Sequence, residues 1–295
     1  MPSNDLTQYR GPFLKSADSQ PNMHPLAAAL RGVLDQEEPG SVLDPQTQSN
    51  KSINNATNIS SLVSNLIPSK GAMGLAGTFI GPKARTWNAK AAEEAIRLLR
   101  AGHDPERVRQ LTGTSLFPDK QLRQEITDHD AILLSSLRPD IKTPYAGSPL
   151  GSILHHPGLQ AAYPDMLRDT SARIAYAPTT SGVYQNNKIK VNAPDLSKGM
   201  STTLHEVQHN VQDLENFARG GSPEEFRTAA EWVARAMGKD ATWARQKAYQ
   251  DYLRMAGEAE ARLVQQRRML TPEERRYTPL NWDISPEQQI VKFYR

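Results

Sequence analysis

The chain has no cysteine, which excludes disulfide stapling and thiolate metal sites and leaves histidine and carboxylate as its metal-ligating side chains. Aromatic residues make up 6% of the chain and hydrophobic residues 38%, against 23% charged, so a core can be buried but the chain is polar for its length. No stretch of 18 apolar residues occurs, and no membrane span is expected. The N-terminus lacks a basic segment followed by an apolar one, so no secretory signal is expected either. Net charge is only +3, below the basicity of a dedicated nucleic-acid binder, and no repeat of fixed period is present.

The shortage of apolar residues is local. Residues 1 to 75 are dominated by Ser, Asn, Gln, Pro and small residues, as in Gln46 to Asn55. Such a segment offers little apolar surface to offset the backbone entropy lost on ordering. The composition therefore predicts a low-complexity extended arm or flexible linker over 1 to 75, with short apolar islands at Leu26 to Leu34 and Ile59 to Ile67, and a domain over 76 to 295. The arm is expected to gain order by docking on a partner protein.

Within the domain, His205-Glu206-Val207-Gln208-His209 places two imidazoles one helical turn apart with a carboxylate between them. At i and i+4 both rings leave one helix face and can reach one tetrahedral Zn2+, while Glu206 stands about 100° round the helix. From there it is placed as a general base toward a water activated by the metal. Met200, Leu204, Val207, Val211 and Leu214 recur at helical spacing and predict the buried stripe of that helix, with Gly220-Gly221 ending it.

Two histidines need a third ligand, and no histidine follows His209. Tyr249 to Arg262 reads as a second helix with small residues around Glu258, which is the first choice, and Glu260 is the alternative. The two point about 200° apart on an ideal helix, so both cannot serve one ion. Earlier in the chain, Lys90 to Ala101 predicts a helix ended by Gly102, and Asp104-Pro105 starts the next, so the folded part is expected to open with helices near Trp87. From Arg173 to Asn192 the period changes to alternation, with Gln185-Asn186-Asn187 as the turn between two strands. The pattern is α+β, mainly helical with a small antiparallel sheet before the His205 helix.

Several blocks resemble the zincin-like metallopeptidase domain of large polyvalent proteins from bacteriophages and conjugative elements. They are Leu111-Thr112-Gly113 with Pro118 to Asp128, Leu154-His155-His156-Pro157 with Ala162-Tyr163-Pro164-Asp165, Thr203 to His209, Glu215 to Pro223, and Ala256 to Arg262 with Gln265 and Arg267. All stand in the family's order over about residues 88 to 290. One departure is Lys120-Gln121-Leu122, where the family has glycine, lysine and tryptophan. The resemblance implies a zincin-like fold, His205 and His209 as metal ligands, Glu206 as general base, the glutamate of Gly257-Glu258-Ala259-Glu260 as third ligand, and a phage or mobile-element origin.

Two functions follow. One is a virion-associated zinc metallopeptidase cutting a protein or peptide substrate, in the particle or after delivery to the host cytoplasm. The other is a virion structural or assembly protein with a zincin-like scaffold, docked to other virion proteins through the arm. Tyr163, Tyr184, Tyr249 and Tyr252 are candidates for stabilising an oxyanion, with packing as the plainer role for each. His155-His156-Pro157 reads as a structural or capping turn, and His24, His103 and His129 as ordinary surface or capping residues. Arg262, Arg267, Arg268, Arg275 and Arg276 form a C-terminal basic cluster that would meet nucleic-acid phosphates or, more simply, make a solvated face balanced by Glu273 and Glu274.

Overall fold

The computed structural model describes residues 77–134 and 147–294. The arm expected over 1 to 75 lies outside the described residues. The first described element is a strand, not a helix: β1 (Gly77–Ile80) precedes Trp87, and all four of its residues are buried. It pairs antiparallel with β3 (Leu122–Thr127), which also pairs with β2 (Thr114–Leu116), giving a three-stranded sheet in the order β1-β3-β2. Between β1 and β2 lie α1 (Ala89–Arg100) and α2 (Pro105–Thr112). Asp104 caps α2 through its side chain and Gly113 closes it in the left-handed conformation, as expected for a helix opened by Asp-Pro.

Short strands β4 (Ile132–Leu133) and β6 (Leu154–His155) pair with each other, and β5 (Ser148–Pro149) joins a second, four-stranded sheet. Helices α3 (Pro157–Ala162) and α4 (Pro164–Asp169) lead into its remaining strands, β7 (Ser171–Tyr176), β8 (Ser181–Gln185) and β9 (Lys188–Ala193). Asn186 and Asn187 both take positive φ in the turn between β8 and β9, the conformation a two-residue hairpin needs.

This sheet is mixed rather than antiparallel. Its order is β5-β7-β9-β8, with β7 and β9 parallel. Ile189, Val191 and Ala193 alternate as the buried face of β9, whereas β8 is exposed along most of its length. The strand with apolar residues to cover takes the inner place and the polar one becomes the edge.

The His205 helix is α5 (Leu196–Glu215). Leu204, Val207 and Val211 are buried as expected, but Leu214 is 39% exposed. The helix ends earlier than Gly220, because Asn216 adopts the left-handed C-cap. A helical hairpin follows, α6 (Glu224–Ala236) and α7 (Ala241–Leu253), packed through Ala230, Ala234, Ala244 and Ala248. The single helix expected over Tyr249 to Arg262 is two. Met255 is extended and bridges Ile290, and Ala256 N–H donates to Ile290 O before α8 (Ala256–Arg267) begins. A last helix, α9 (Pro272–Tyr277), opens with a full capping box between Thr271 and Glu274. The main core lies between the four-stranded sheet, α5 and the α3–α4 segment, and none of the described helices is long and apolar enough to cross a membrane.

Candidate metal centre

Asp195 caps the start of α5 by accepting from Lys198 N–H, and twenty helical residues follow. His205 and His209 therefore share a face, with ring centroids 4.7 Å apart and their Nε2 atoms 3.1 Å apart. Each Nδ1 meets a glutamine: His205 Nδ1 is 3.2 Å from Gln265 Oε1, and His209 Nδ1 is 2.8 Å from Gln212 Oε1.

Glu258 arrives in the first turn of α8, where the helix dipole favours a carboxylate. Its Oε2 lies 3.3 Å from His205 Nε2 and its Oε1 3.3 Å from His209 Nε2. Two further donors orient it, Tyr252 O–H at 2.9 Å and Gly221 N–H at 3.0 Å. The approach depends on two glycines. A methyl group on Gly257 would stand 2.2 Å from the Arg219 carbonyl carbon, and one on Gly220 would stand 2.4 Å from both Glu258 Oε1 and His209 Cε1. The loop over residues 219–221 can lie against both ligand-bearing helices because those methyls are missing.

The donor set fits zinc. Two ligands about 2.1 Å from one ion at the tetrahedral angle stand about 3.4 Å apart. The two Nε2 atoms stand 3.1 Å apart and each lies 3.3 Å from a different oxygen of Glu258; with one ligand atom taken from each residue all lie within 4.8 Å of one another, and two imidazoles with one carboxylate are an open, three-ligand set.

The three side chains set one another's charge. Burial alone would raise Glu258 and lower His209, but each overrides burial for the other: the histidines hold the Glu258 carboxyl well below the usual range, and Glu258 lifts His209 to about 9. Glu206 is 4% exposed, and burial raises its carboxyl against the opposing pull of His209 and His205. It is the more basic carboxylate of the two.

All four residues line a cleft of about 630 Å³, with β8 along one wall and Arg219, Tyr252 and Tyr294 on others. Glu206 lies directly against the strand, since a methyl on Gly182 would meet its Oε1 at 2.3 Å.

Glu260 is not among the converging groups. It turns to the far side of α8, where Oε1 accepts from Gln208 Nε2 at 2.6 Å and Oε2 pairs with Arg123 at 3.3 Å. Gln208 also exchanges two hydrogen bonds with the Phe79 backbone, at 2.9 and 3.1 Å, so the inner residue of the histidine motif ties α5 to β1.

Of the tyrosines, Tyr163 O–H donates to Glu215 and is committed to packing, and Tyr249 is exposed. Tyr184 and Tyr252 line the cleft, with their hydroxyls held by Asp213 and Glu258. His156 caps α3 and bonds Asp128 at 2.8 Å, the structural role expected of it.

The C-terminal arginines do not form a basic surface. Arg267 and Arg275 are buried on Glu125, Arg262 pairs with Asp283, Arg268 donates to Gln265 O, and Arg276 donates to Gln110 O. The buried Glu125 on β3 draws Arg267 and Arg275 inward, away from the solvated face expected for them.

Sequence reasoning passed over Tyr294, whose hydroxyl donates to His209 O at 3.3 Å across 85 residues, a contact with no local signal. It also gave no role to Gln212 and Gln265. Gln212 at i+3 from His209 was visible on the ligand face, but nothing local pairs Gln265 with His205.

In comparison with known proteins, residues 77–137 match the family described as large polyvalent protein associated domain 23. The match covers 61 of 295 residues and includes the Leu111 to Asp128 block, so this segment is similar to a polyvalent-protein domain. It ends before the His205 helix. It supplies β1 to β3, and hence Phe79, Asp119 and Arg123 behind Gln208 and Glu260. No curated protein and no solved structure matches the chain significantly.

Proposed function

We propose that the protein is a virion-associated zinc metallopeptidase of zincin type, encoded by a phage or mobile element, that hydrolyses peptide bonds. The observation that carries this reading is the convergence of His205, His209 and Glu258 within 4.8 Å, with Glu206 on the same cleft. Zinc in that position supplies a Lewis acid that polarises a carbonyl and acidifies water.

The chain's own residues do the rest. His205, His209 and Glu258 hold the ion, and Tyr252 and Gly221 fix the carboxylate. Glu206, made more basic by burial, takes a proton from water and passes it to the leaving amine. Among the described residues β8 is an edge strand with Gly182 and Val183 exposed, and that edge pairs with an extended substrate backbone. Similarity of residues 77–137 to a polyvalent-protein domain supports the phage or mobile-element assignment.

Metal analysis of the purified chain, followed by cleavage of an unfolded protein with and without chelator, is the test. Near-stoichiometric zinc and chelator-sensitive cleavage support a peptidase. Zinc without cleavage in any virion protein mixture overturns it in favour of an assembly protein docked through residues 1 to 75, the reading that their composition favours.

A further inference from the structure

Heavy-atom positions do not show which ring nitrogen of a histidine carries its proton, but an anchored amide does. Gln212 Nε2 lies 2.9 Å from Gly257 O. A carbonyl oxygen only accepts, so this end of the amide is the donor and the other end, Oε1, only accepts. His209 Nδ1, 2.8 Å from that oxygen, must therefore be N–H. Gln265 repeats the arrangement independently. Its Nε2 is 3.1 Å from both Ser201 O and Ser201 Oγ, and its Oε1 faces His205 Nδ1 at 3.2 Å. Two glutamines from two helices thus impose one proton position on both rings.

We infer that Gln212 and Gln265 are positioning residues: their anchored amides lock His209 and His205 as Nδ1–H tautomers, so that both Nε2 lone pairs point at the space beside Glu258. This inference rests on the metal reading above and extends it to residues that touch no ion. The consequence is specific. Two unprotonated Nε2 atoms 3.1 Å apart repel unless a cation lies between them, so the clamps make the site poor for anything but a cation. Because both clamps are neutral amides rather than carboxylates, Glu258 is the one anionic ligand.

Two measurements on the full chain test this. With histidine labelled in ¹⁵N, long-range proton–nitrogen spectra of the zinc-loaded protein should show Nδ1 protonated and Nε2 coordinated for both His205 and His209. Coordination through Nδ1 of either ring overturns the inference.

The second measurement is zinc affinity by chelator competition. Gln265→Met should weaken it by roughly 10- to 100-fold, the usual cost of losing an outer-shell partner. Gln265→Glu should lose clearly less than Gln265→Met, because the carboxylate still accepts from Nδ1–H and takes the Ser201 hydroxyl as its own donor, although it gives up the hydrogen bond to Ser201 O. Gln265 is half-buried at the end of a packed helix, so both variants leave the core intact. Equal loss in both, or loss in neither, overturns the clamp. If wild type takes up no zinc, the peptidase reading fails instead, and the metal-free spectrum recorded above pH 9, where His209 has lost its second proton, still decides the clamp: Nδ1–H on both rings sustains it, and a proton on Nε2 alone overturns it.

Discussion

Gly220→Ala separates the candidate metal site from the rest of the fold. A β-carbon there would stand 2.4 Å from Glu258 Oε1 and from His209 Cε1, where ordinary contact begins near 3.4 Å, so two ligands must retreat by about 1 Å. Backbone strain plays no part, since Gly220 lies outside the left-handed region. Overpacking of this kind costs about 1–3 kcal/mol. Ligand distances tolerate only about 0.2 Å, and a displacement near 1 Å corresponds to roughly a hundredfold loss. Gly182→Ala is the matched perturbation. Its methyl would meet Glu206 Oε1 at 2.3 Å and Thr202 Cγ2 at 2.6 Å, so it moves the base and leaves the ligands. Gly151→Ala, with its nearest neighbour at 3.5 Å, is the neutral control. Zinc competition and hydrolysis rates measured in parallel should show Gly220→Ala losing both and Gly182→Ala losing only rate. Wild-type zinc affinity in Gly220→Ala, or an equal zinc loss in Gly182→Ala, would refute the assignment.

Glu206→Gln should abolish hydrolysis while zinc content and thermal unfolding stay as in wild type, because the amide keeps the volume and loses the base; retained turnover would remove Glu206 from the chemistry. Glu258→Gln should lose zinc with the fold kept. Glu260→Gln should keep zinc and lose stability, since it weakens the buried group around Arg123; the reverse pattern would restore Glu260 as ligand. The zinc-free protein should also show a pH signature of His209. Its folded value, about 9, lies above the ordinary 6.5, so the stabilisation is fully present below 6.5 and is lost as pH rises through 9. The rise corresponds to roughly 3 kcal/mol, and denaturant unfolding between pH 6 and 10 should register it in wild type but not in Glu258→Gln.

The legible parts of this chain are those governed by local rules. The i, i+4 histidines, the Asp104-Pro105 helix start and the asparagine turn at 186–187 each depend on residues within one turn of each other. Errors came where a distant segment intervened. Between Tyr249 and Arg262 only Gly257 is a poor helix former, and the break falls before it, where Ile290 bridges Met255 by accepting from Ala256 N–H and donating to Arg254 O. The first sheet was missed for a related reason. Arg123, Gln124 and Glu125 are buried in β3, so its inner face is built from ion pairs and amides, and the alternation that marks a half-buried strand is absent.

That buried polar strand also explains how two glutamates separated by one residue come to different work. Arg123 is fully enclosed, paired with Asp119 at 2.6 Å and with Glu260 at 3.3 Å, and its guanidinium carbon stands 3.1 Å from the centre of the Phe217 ring. Removing one member of such a pair costs about 3–5 kcal/mol, because the charge left behind remains buried. Glu260 is thereby fixed to β3, and Gln208 joins it to β1 and to α5. Once Glu260 is held on that side, helical geometry turns Glu258 the other way, toward the histidines. The segment similar to a polyvalent-protein domain holds none of the three converging side chains; through Arg123 and Glu260 it sets the rotation of the helix that carries Glu258. Arg123→Met is therefore expected to lower stability and, in whatever fraction stays folded, to loosen zinc binding without touching a ligand. Unchanged zinc affinity in the folded fraction, read by chelator competition after size-exclusion, would show that Glu258 finds its place without the strut.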